Sequence, residues 1–142
     1  MAEHNIIGQK GEQIAVETMR KKGFRVVDTN WKFGHLEMDV IAVNRKEIAF
    51  VEVKTRTSSF GDKRPEEFVD ELKRRRMAAA ANAYIKIHQI ELVPRFDIIG
   101  ITMDPNTYEV KELTHLEDAF LPPQRTIGKS SFSGQGRWKH RN

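Results

Sequence analysis

The stretch "LEMDVIAVNRKEIAFVEVKTR", Leu36 to Arg56, decides the reading of this chain. It is rich in Val, Ile, Phe and Ala, and it reads as two strands, "LEMDVIAV" and "EIAFVEVKT", joined around Asn44-Arg45-Lys46. Side chains on a strand alternate between faces. Glu37 and Asp39 therefore share a face with Ile41 and Val43, and Glu52 and Lys54 share one with Ile48 and Phe50. A two-residue turn at Arg45-Lys46 pairs Asn44 with Glu47. That register sets Ile41 opposite Phe50, Asp39 opposite Glu52 and Glu37 opposite Lys54, with Val40–Val51 and Met38–Val53 on the other face. The hairpin is apolar on both faces near its turn, as in a sheet covered on both sides. At its open end one face is charged.

Directly opposed carboxylates repel each other, and partial burial aggravates this. A divalent cation resolves the conflict, because carboxylate oxygens are the ligands Mg²⁺ prefers and one or two of them suffice. Lys54, one step along the same face, is placed to stabilise a hydroxide or a phosphate oxygen. A second reading makes Glu37 and Lys54 a cross-strand salt bridge and leaves Asp39 and Glu52 exposed at an edge. Glu12 adds a further acid at the border of the apolar face of the first helix. It either leans over the sheet towards the charged corner or faces solvent.

Working outward, Ile6 to Lys22 fits a helix, with Ile7, Gly11, Ile14, Ala15, Thr18 and Met19 on one face. Gly23 after the basic run Arg20-Lys21-Lys22 is a helix stop. "FRVVDTNW" reads as a strand before the hairpin. Pro65-Glu66-Glu67 marks the start of a second helix running to about Ile87. "RFDIIGITMD" is another strand, Asp104-Pro105-Asn106 a turn, and "TYEVKEL" a returning strand. "HLEDAF" reads as a short helical turn before Pro122-Pro123. The order is α-β-β-β-α-β-β. The expected fold is a single α/β domain over residues 1–121 with a mixed sheet, followed by a basic Gly/Ser-rich tail, 122–142, without regular structure.

The 142 residues suit one domain that buries its own core. There is no cysteine, which excludes disulfides and thiolate metal sites. No apolar run approaches the roughly 18 residues of a membrane span, and the N-terminus lacks an apolar signal core. A soluble cytoplasmic protein is expected. The net charge of +4 is unevenly spread: five of the 24 basic residues lie in Gln124–Asn142 without an acid. The remainder holds 19 basic residues against 20 acids, a net −1. The basic excess belongs to the tail, which is either a phosphate-attracting segment or a solvated end.

Asp39 followed by Glu52-Val53-Lys54 resembles the signature of the PD-(D/E)xK nuclease superfamily. The segments "GQKGEQIAVETMRKKGFRVVDTNWKF", "EMDVIAV", "IAFVEVKTRTSSFG" and "RFDIIGI" are similar, in that order, to the YraN-like family of endonuclease-like proteins, over about Ile6 to Phe120. That family is similar to Holliday-junction resolvases and, in core fold, to restriction enzymes. The resemblance implies an αβββαβ core with the acids at one sheet end. It implies Mg²⁺ (or Mn²⁺) held by Asp39 and Glu52, with the Val53 carbonyl as a third ligand, Lys54 as the catalytic lysine and Glu12 as the first-helix acid. Glu37 matches the Glu two residues before the Asp, as a partner of Lys54 or an orienting group. Arg56 and Lys73 fit basic family positions, which implies either phosphate contacts or solvated charges. There are departures: Met38, not Pro, precedes Asp39, and Gly34-His35-Leu36 intervenes where the family usually places Gly directly before the Glu. His35 reads as an incidental loop histidine, and Asp97 as half of a structural pair with Arg95 or the first helix.

The implied activity is metal-dependent hydrolysis of DNA phosphodiester bonds, with branched DNA as a substrate class. The competing reading is a non-catalytic nucleic-acid-binding or DNA-processing partner module on the same fold, anchored by its basic tail. Resolvase-like nucleases act as two-fold dimers, so a homodimer is implied. "MAAAANAY", Met77 to Tyr84, offers a small-residue surface for a partner helix or for packing on the sheet.

Overall fold

The computed structural model describes residues 2–57 and 69–121, with side chains from Ile6 onward. Its elements are α1 (Ala2–Lys21), β1 (Arg25–Phe33), β2 (Leu36–Val43), β3 (Glu47–Arg56), α2 (Glu71–His88), β4 (Val93–Met103) and β5 (Val110–Phe120). The five strands form one sheet in sequential order, β1-β2-β3-β4-β5. All neighbours are antiparallel except β3 and β4, which run parallel and need α2 as their crossover. This is the mixed α/β single-domain core expected from the sequence.

Local chemistry explains the element ends. At the C-terminus of α1, Gly23 takes φ +93° and donates its N–H to Arg20. Phe24 N–H reaches back to Met19, closing the helix on a left-handed glycine. α2 begins later than the proline suggested. Asp70 is its N-cap and accepts the Lys73 N–H at 2.8 Å. Pro65, Glu66, Glu67 and Phe68 lie outside the described residues, and Val69–Asp70 is not helical. "HLEDAF" is also corrected: it is the second half of β5. Its strand is interrupted at Asp118 (φ +53°), whose N–H donates to the buried Asp97. The local kink is what gave the segment its irregular pattern.

The sheet is covered on both faces. On one side Met77, Ala80, Ala81, Tyr84 and Ile85 of α2 pack on Ile41, Ile48, Phe50, Phe96 and Ile98. Of the alanines of "MAAAANAY", Ala80 and Ala81 face the sheet and are not a surface for a partner helix, Ala78 packs against the same core, and Ala79 is exposed. On the other side Ala15 and Met19 of α1 pack on Val40, Ala42, Ala49, Val51, Ile99 and Ile101. Burial on both faces accounts for the unbroken apolar run of β4, buried from Phe96 to Met103. Asp97 is the charged member of that run. It accepts from Arg95 (3.0 Å), His115 (2.8 Å) and the Asp118 N–H (3.0 Å). The expected partnership of Asp97 with Arg95 is present, and it is one part of a wider network. Arg95 also pairs with Glu47 and Glu117, and Lys22 bridges His115 and Glu117.

Candidate active site

The β2–β3 register follows the hairpin arithmetic near the turn: Val43 opposite Ile48, Ala42 opposite Ala49, Ile41 opposite Phe50 and Val40 opposite Val51. The ladder then ends, one residue before the acids. Side-chain alternation breaks at the same place. Val40 packs in the α1-side core, but Met38 packs with Ile41 and Phe50 in the α2-side core. Asp39 is therefore turned to the α1 side and lines a cleft there with Val53. This corrects the expected arrangement, in which Asp39 and Glu52 shared one face and Met38 lay across from Val53 on the other.

The neighbouring strand shows what drives the switch. Asn30 on β1 sits between the pairs Thr29–Val40 and Trp31–Met38 with φ +51°, a conformation asparagine tolerates. Trp31 and Met38 are both drawn to the α2 side, where Trp31 packs edge-on against Tyr84 at 5.1 Å. Asn30 and Asp39 are left facing α1. Burial of two large apolar side chains on one face thus exposes two polar groups to the cleft on the other.

The gap between β2 and β3 brings the carboxyls together. Asp39 Oδ2 accepts the Val53 N–H at 2.8 Å, filling the place of a ladder bond. Glu52, on the α2 side of β3, reaches the same gap and hydrogen-bonds the Asp39 carboxyl. Lys73 of α2 lies 3.4 Å from Glu52 Oε2. Burial pushes Glu52 up to about 7, and the Asp39 charge adds to this, with Lys73 and Lys54 opposing. Burial raises Asp39 as well, against the Val53 N–H and Lys73. Burial and the neighbouring charge thus favour the protonated form of both carboxyls, as expected of two acids forced into one site.

α1 supplies the roof. Gly11 is buried directly over Thr55, and a Cβ there would overlap the Thr55 Oγ1. The glycine lets the helix come down on β3, and this places the next residue, Glu12, over the gap. Asn30 Nδ2 donates to Glu12 Oε1 at 2.8 Å. Burial raises the Glu12 carboxyl, Asn30 opposes this, and the Asp39 charge raises it further, so the two acids sense each other. The resulting cleft, about 420 Å³, is lined by Gly8, Gln9, Glu12, Asn30, Asp39, Val53, Lys54 and Thr55.

Of the residues singled out in the sequence, Glu12, Asp39, Val53 and Lys54 line this cleft, and Glu52 joins it through Asp39. Glu37 does not line it. It is exposed, its cross-strand neighbour is Lys32 of β1, and it acts on Asp39 only by raising its pKa. The expected pairing of Glu37 opposite Lys54 is lost because the β2–β3 ladder stops at Val40. His35 is exposed at the hairpin tip beside Gly34 (φ +63°), away from the cleft lining, as expected of an incidental histidine. Lys73 contacts Glu52, and Arg56 is half-buried at the end of β3. Sequence reasoning missed Asn30, Thr55 and the spacing role of Gly11. A glycine on the apolar face of a helix was the one available signal.

Among the described residues no third Asp, Glu or His converges on the Asp39–Glu52 pair to cage an ion. Two adjoining carboxyls with open cleft volume beside them match the donor set Mg²⁺ takes when water and substrate oxygens complete its shell.

The chain matches the model of the uncharacterised protein family UPF0102 over residues 11–101. A UPF0102 protein of Bacteroides thetaiotaomicron is 40% identical over 123 residues, covering 87% of this chain and 98% of that protein. The chain belongs to the UPF0102 family. A UPF0102 protein of Parabacteroides distasonis is 42% identical over 125 residues, 88% of this chain and all of that one. Another, of Flavobacterium psychrophilum, is 40% identical over 121 residues, 84% of this chain and 98% of that one. This is the YraN-like family of the sequence reading, and its matched span runs from Gly11 through β4, taking in every acid of the cleft. No helix among the described residues of this UPF0102 chain is long and apolar enough to cross a membrane.

Proposed function

We propose that this protein is a Mg²⁺- or Mn²⁺-dependent endonuclease that hydrolyses phosphodiester bonds in DNA, with branched DNA as its substrate class. The observation that carries this is the carboxyl pair in the opened strand gap. A folded chain keeps two partly buried acids side by side at the wall of a cleft only at a cost, which a bound cation removes. Asp39 and Glu52 would hold the ion, with the Val53 carbonyl beside them. When bound, the ion would supply Lewis-acid polarisation of the scissile phosphate and a water acidified towards neutral pH.

The remaining work falls to the chain itself. Lys54, lining the cleft two residues past Glu52, orients the attacking water and offers positive charge to the developing oxyanion. Glu12, fixed by Asn30, stands across the cleft to take a hydrogen bond from that water or from an ion-bound one. Lys73 steadies the ionised form of Glu52 and, with Arg56, meets the substrate backbone. The branched substrate follows from the resolvase resemblance. Two cuts across a junction need two sites, so the working unit is a two-fold homodimer.

The test is cleavage of labelled duplex, flap and four-way-junction DNA by the purified chain with Mg²⁺ or Mn²⁺. Asp39→Asn, Glu52→Gln and Lys54→Ala should each lose 10²-fold or more in rate while far-UV circular dichroism is unchanged. Cleavage that survives in Asp39→Asn and Glu52→Gln sinks the proposal. Sedimentation showing only monomer with and without junction DNA refutes the dimer.

A further inference from the structure

A second and larger cleft, about 870 Å³, opens at the opposite end of the sheet. It is lined by Gly23, Arg25, Val43, Asn44, Arg45 and Lys46. Three of its six lining residues are cations, and none is an acid. Arg25, Arg45 and Lys46 are all exposed, and none of their side chains has an ion-pair or hydrogen-bond partner among the described residues. Other described cations, such as Lys21, Lys32 and Lys86, are likewise exposed without a partner, but they line neither cleft; these three share one concave surface. The body outside the tail carries about as many acids as bases, so a concave surface with three cations and no acid is a local field that composition does not predict.

Its position relative to the carboxyl cleft gives it a meaning. Both clefts draw on the edge strand β1, Asn30 at one end and Arg25 at the other. α1 also contributes to both: Gly8, Gln9 and Glu12 from its middle turns line the first, and its stop, Gly23, lines the second. β1 bulges between Val26 and Asp28, so Arg25 lies across from Val43 and Asn30 beside Asp39, four residues further along β2, about 13 Å at the usual rise per residue. One strand of B-form DNA carries a phosphate every ~3.4 Å of helix axis. The two clefts are therefore about four base-pair steps apart.

We infer that the Arg25–Arg45–Lys46 cleft grips the phosphodiester backbone of the same nucleic acid whose cleavage occurs at Asp39 and Glu52, about four base pairs from the cut. This inference rests on the endonuclease reading and adds to it a second footprint and a minimum substrate length. The contact is electrostatic and sequence-independent, because guanidinium and ammonium groups on phosphates carry no base code. Its occupant is a polyanion with regularly spaced charges, since three cations spread over one cleft match successive phosphates better than a single small anion.

The experiment measures the salt dependence of binding to a labelled 30-base-pair duplex and to a four-way junction by fluorescence anisotropy. All proteins carry Asp39→Asn to prevent cleavage. Each phosphate contact contributes about −0.9 to the slope of log K against log salt. The triple variant Arg25→Ala/Arg45→Ala/Lys46→Ala should make the slope shallower by two to three and weaken binding by roughly 10²-fold at 0.1 M salt. Arg25→Lys/Arg45→Lys should keep the slope, and Lys86→Ala, on exposed α2, should leave it unchanged. In the chain without Asp39→Asn, the triple variant should bind Mn²⁺ as the wild type does, which excludes misfolding as the cause. An unchanged slope in the triple variant overturns the inference while leaving the endonuclease reading intact. A slope equally altered by Lys86→Ala overturns it as well, because the effect is then one of total charge. Absence of any DNA binding overturns both.

Discussion

Glu52→Gln should make the protein more stable, and most of all at neutral to alkaline pH. In the fold Glu52 is pushed to about 7 from the usual 4.5, mainly because it is buried and secondarily because Asp39 lies beside it. A carboxyl whose folded pKa is raised favours the fold in its protonated form. That contribution is complete below pH 4.5 and is lost as pH rises through about 7. The difference between 4.5 and 7, at ~1.4 kcal/mol per pH unit, gives roughly 3 kcal/mol lost by pH 8. The Glu52 side chain is only 15% exposed, so solvent screening removes little of this. Glutamine is the frozen neutral form. It should stabilise the metal-free protein by about 3 kcal/mol at pH 8 and by about 1 kcal/mol at pH 5. The midpoint of thermal unfolding at pH 8 should rise by on the order of 10 °C. The assay is calorimetry or circular dichroism melting in EDTA at both pH values. Adding Mn²⁺ at pH 8 should stabilise the wild type and not the variant. If Glu52→Gln is neutral or destabilising at pH 8, or gains equally at pH 5, the carboxyl pair is not held under repulsion and the reasoning fails.

Lys73→Met removes a charge that lowers both Glu52 and Asp39, so the pH midpoint of Mn²⁺ binding should move upward; an unmoved midpoint in a pH series of titrations counts against the Lys73–Glu52 contact. Gly11→Ala should cost about 1–3 kcal/mol in urea unfolding, because its Cβ meets the Thr55 hydroxyl, and much of that loss should return in Gly11→Ala/Thr55→Ala. Equal losses in the single and double variants would show that helix approach is limited elsewhere. Asp97→Ala strands a mostly buried arginine and His115 and leaves the Asp118 N–H without its acceptor, so it should destabilise by about 3–5 kcal/mol, while Asp104→Ala at the exposed turn should cost far less.

Much of the architecture was legible in one dimension. The period-two and period-3.6 patterns set five strands and two helices in order. Gly23 marked the end of α1, and the two-residue turn at Arg45-Lys46 set the β2–β3 register through Val40. The boundaries that failed did so for local reasons. α2 starts at Glu71 because the Asp70 side chain caps the Lys73 N–H, a cap the reading from Pro65 passed over. "HLEDAF" looked helical because its bulge at Asp118 breaks the alternation of a strand, and that bulge exists only because Asp97 lies across from it.

The chain by itself singled out the acids that the fold gathers at the cleft, with Glu37 the exception. Asp39, Glu52 and Lys54 sit in a buried hairpin where charge is out of place, and Glu12 falls at the border of the apolar face of its helix. What the chain could not determine was how they meet. Strand alternation put Asp39 and Glu52 side by side on one face. The folded protein instead ends the ladder at Val40, turns Met38 and Trp31 into the α2-side core, and sends Asp39 to the opposite side, where it meets Glu52 through the gap. The physical reason is that alternation is a property of a single strand, whereas the free energy of burying Met38 and Trp31 is gained only against α2, an element more than thirty residues further along the chain.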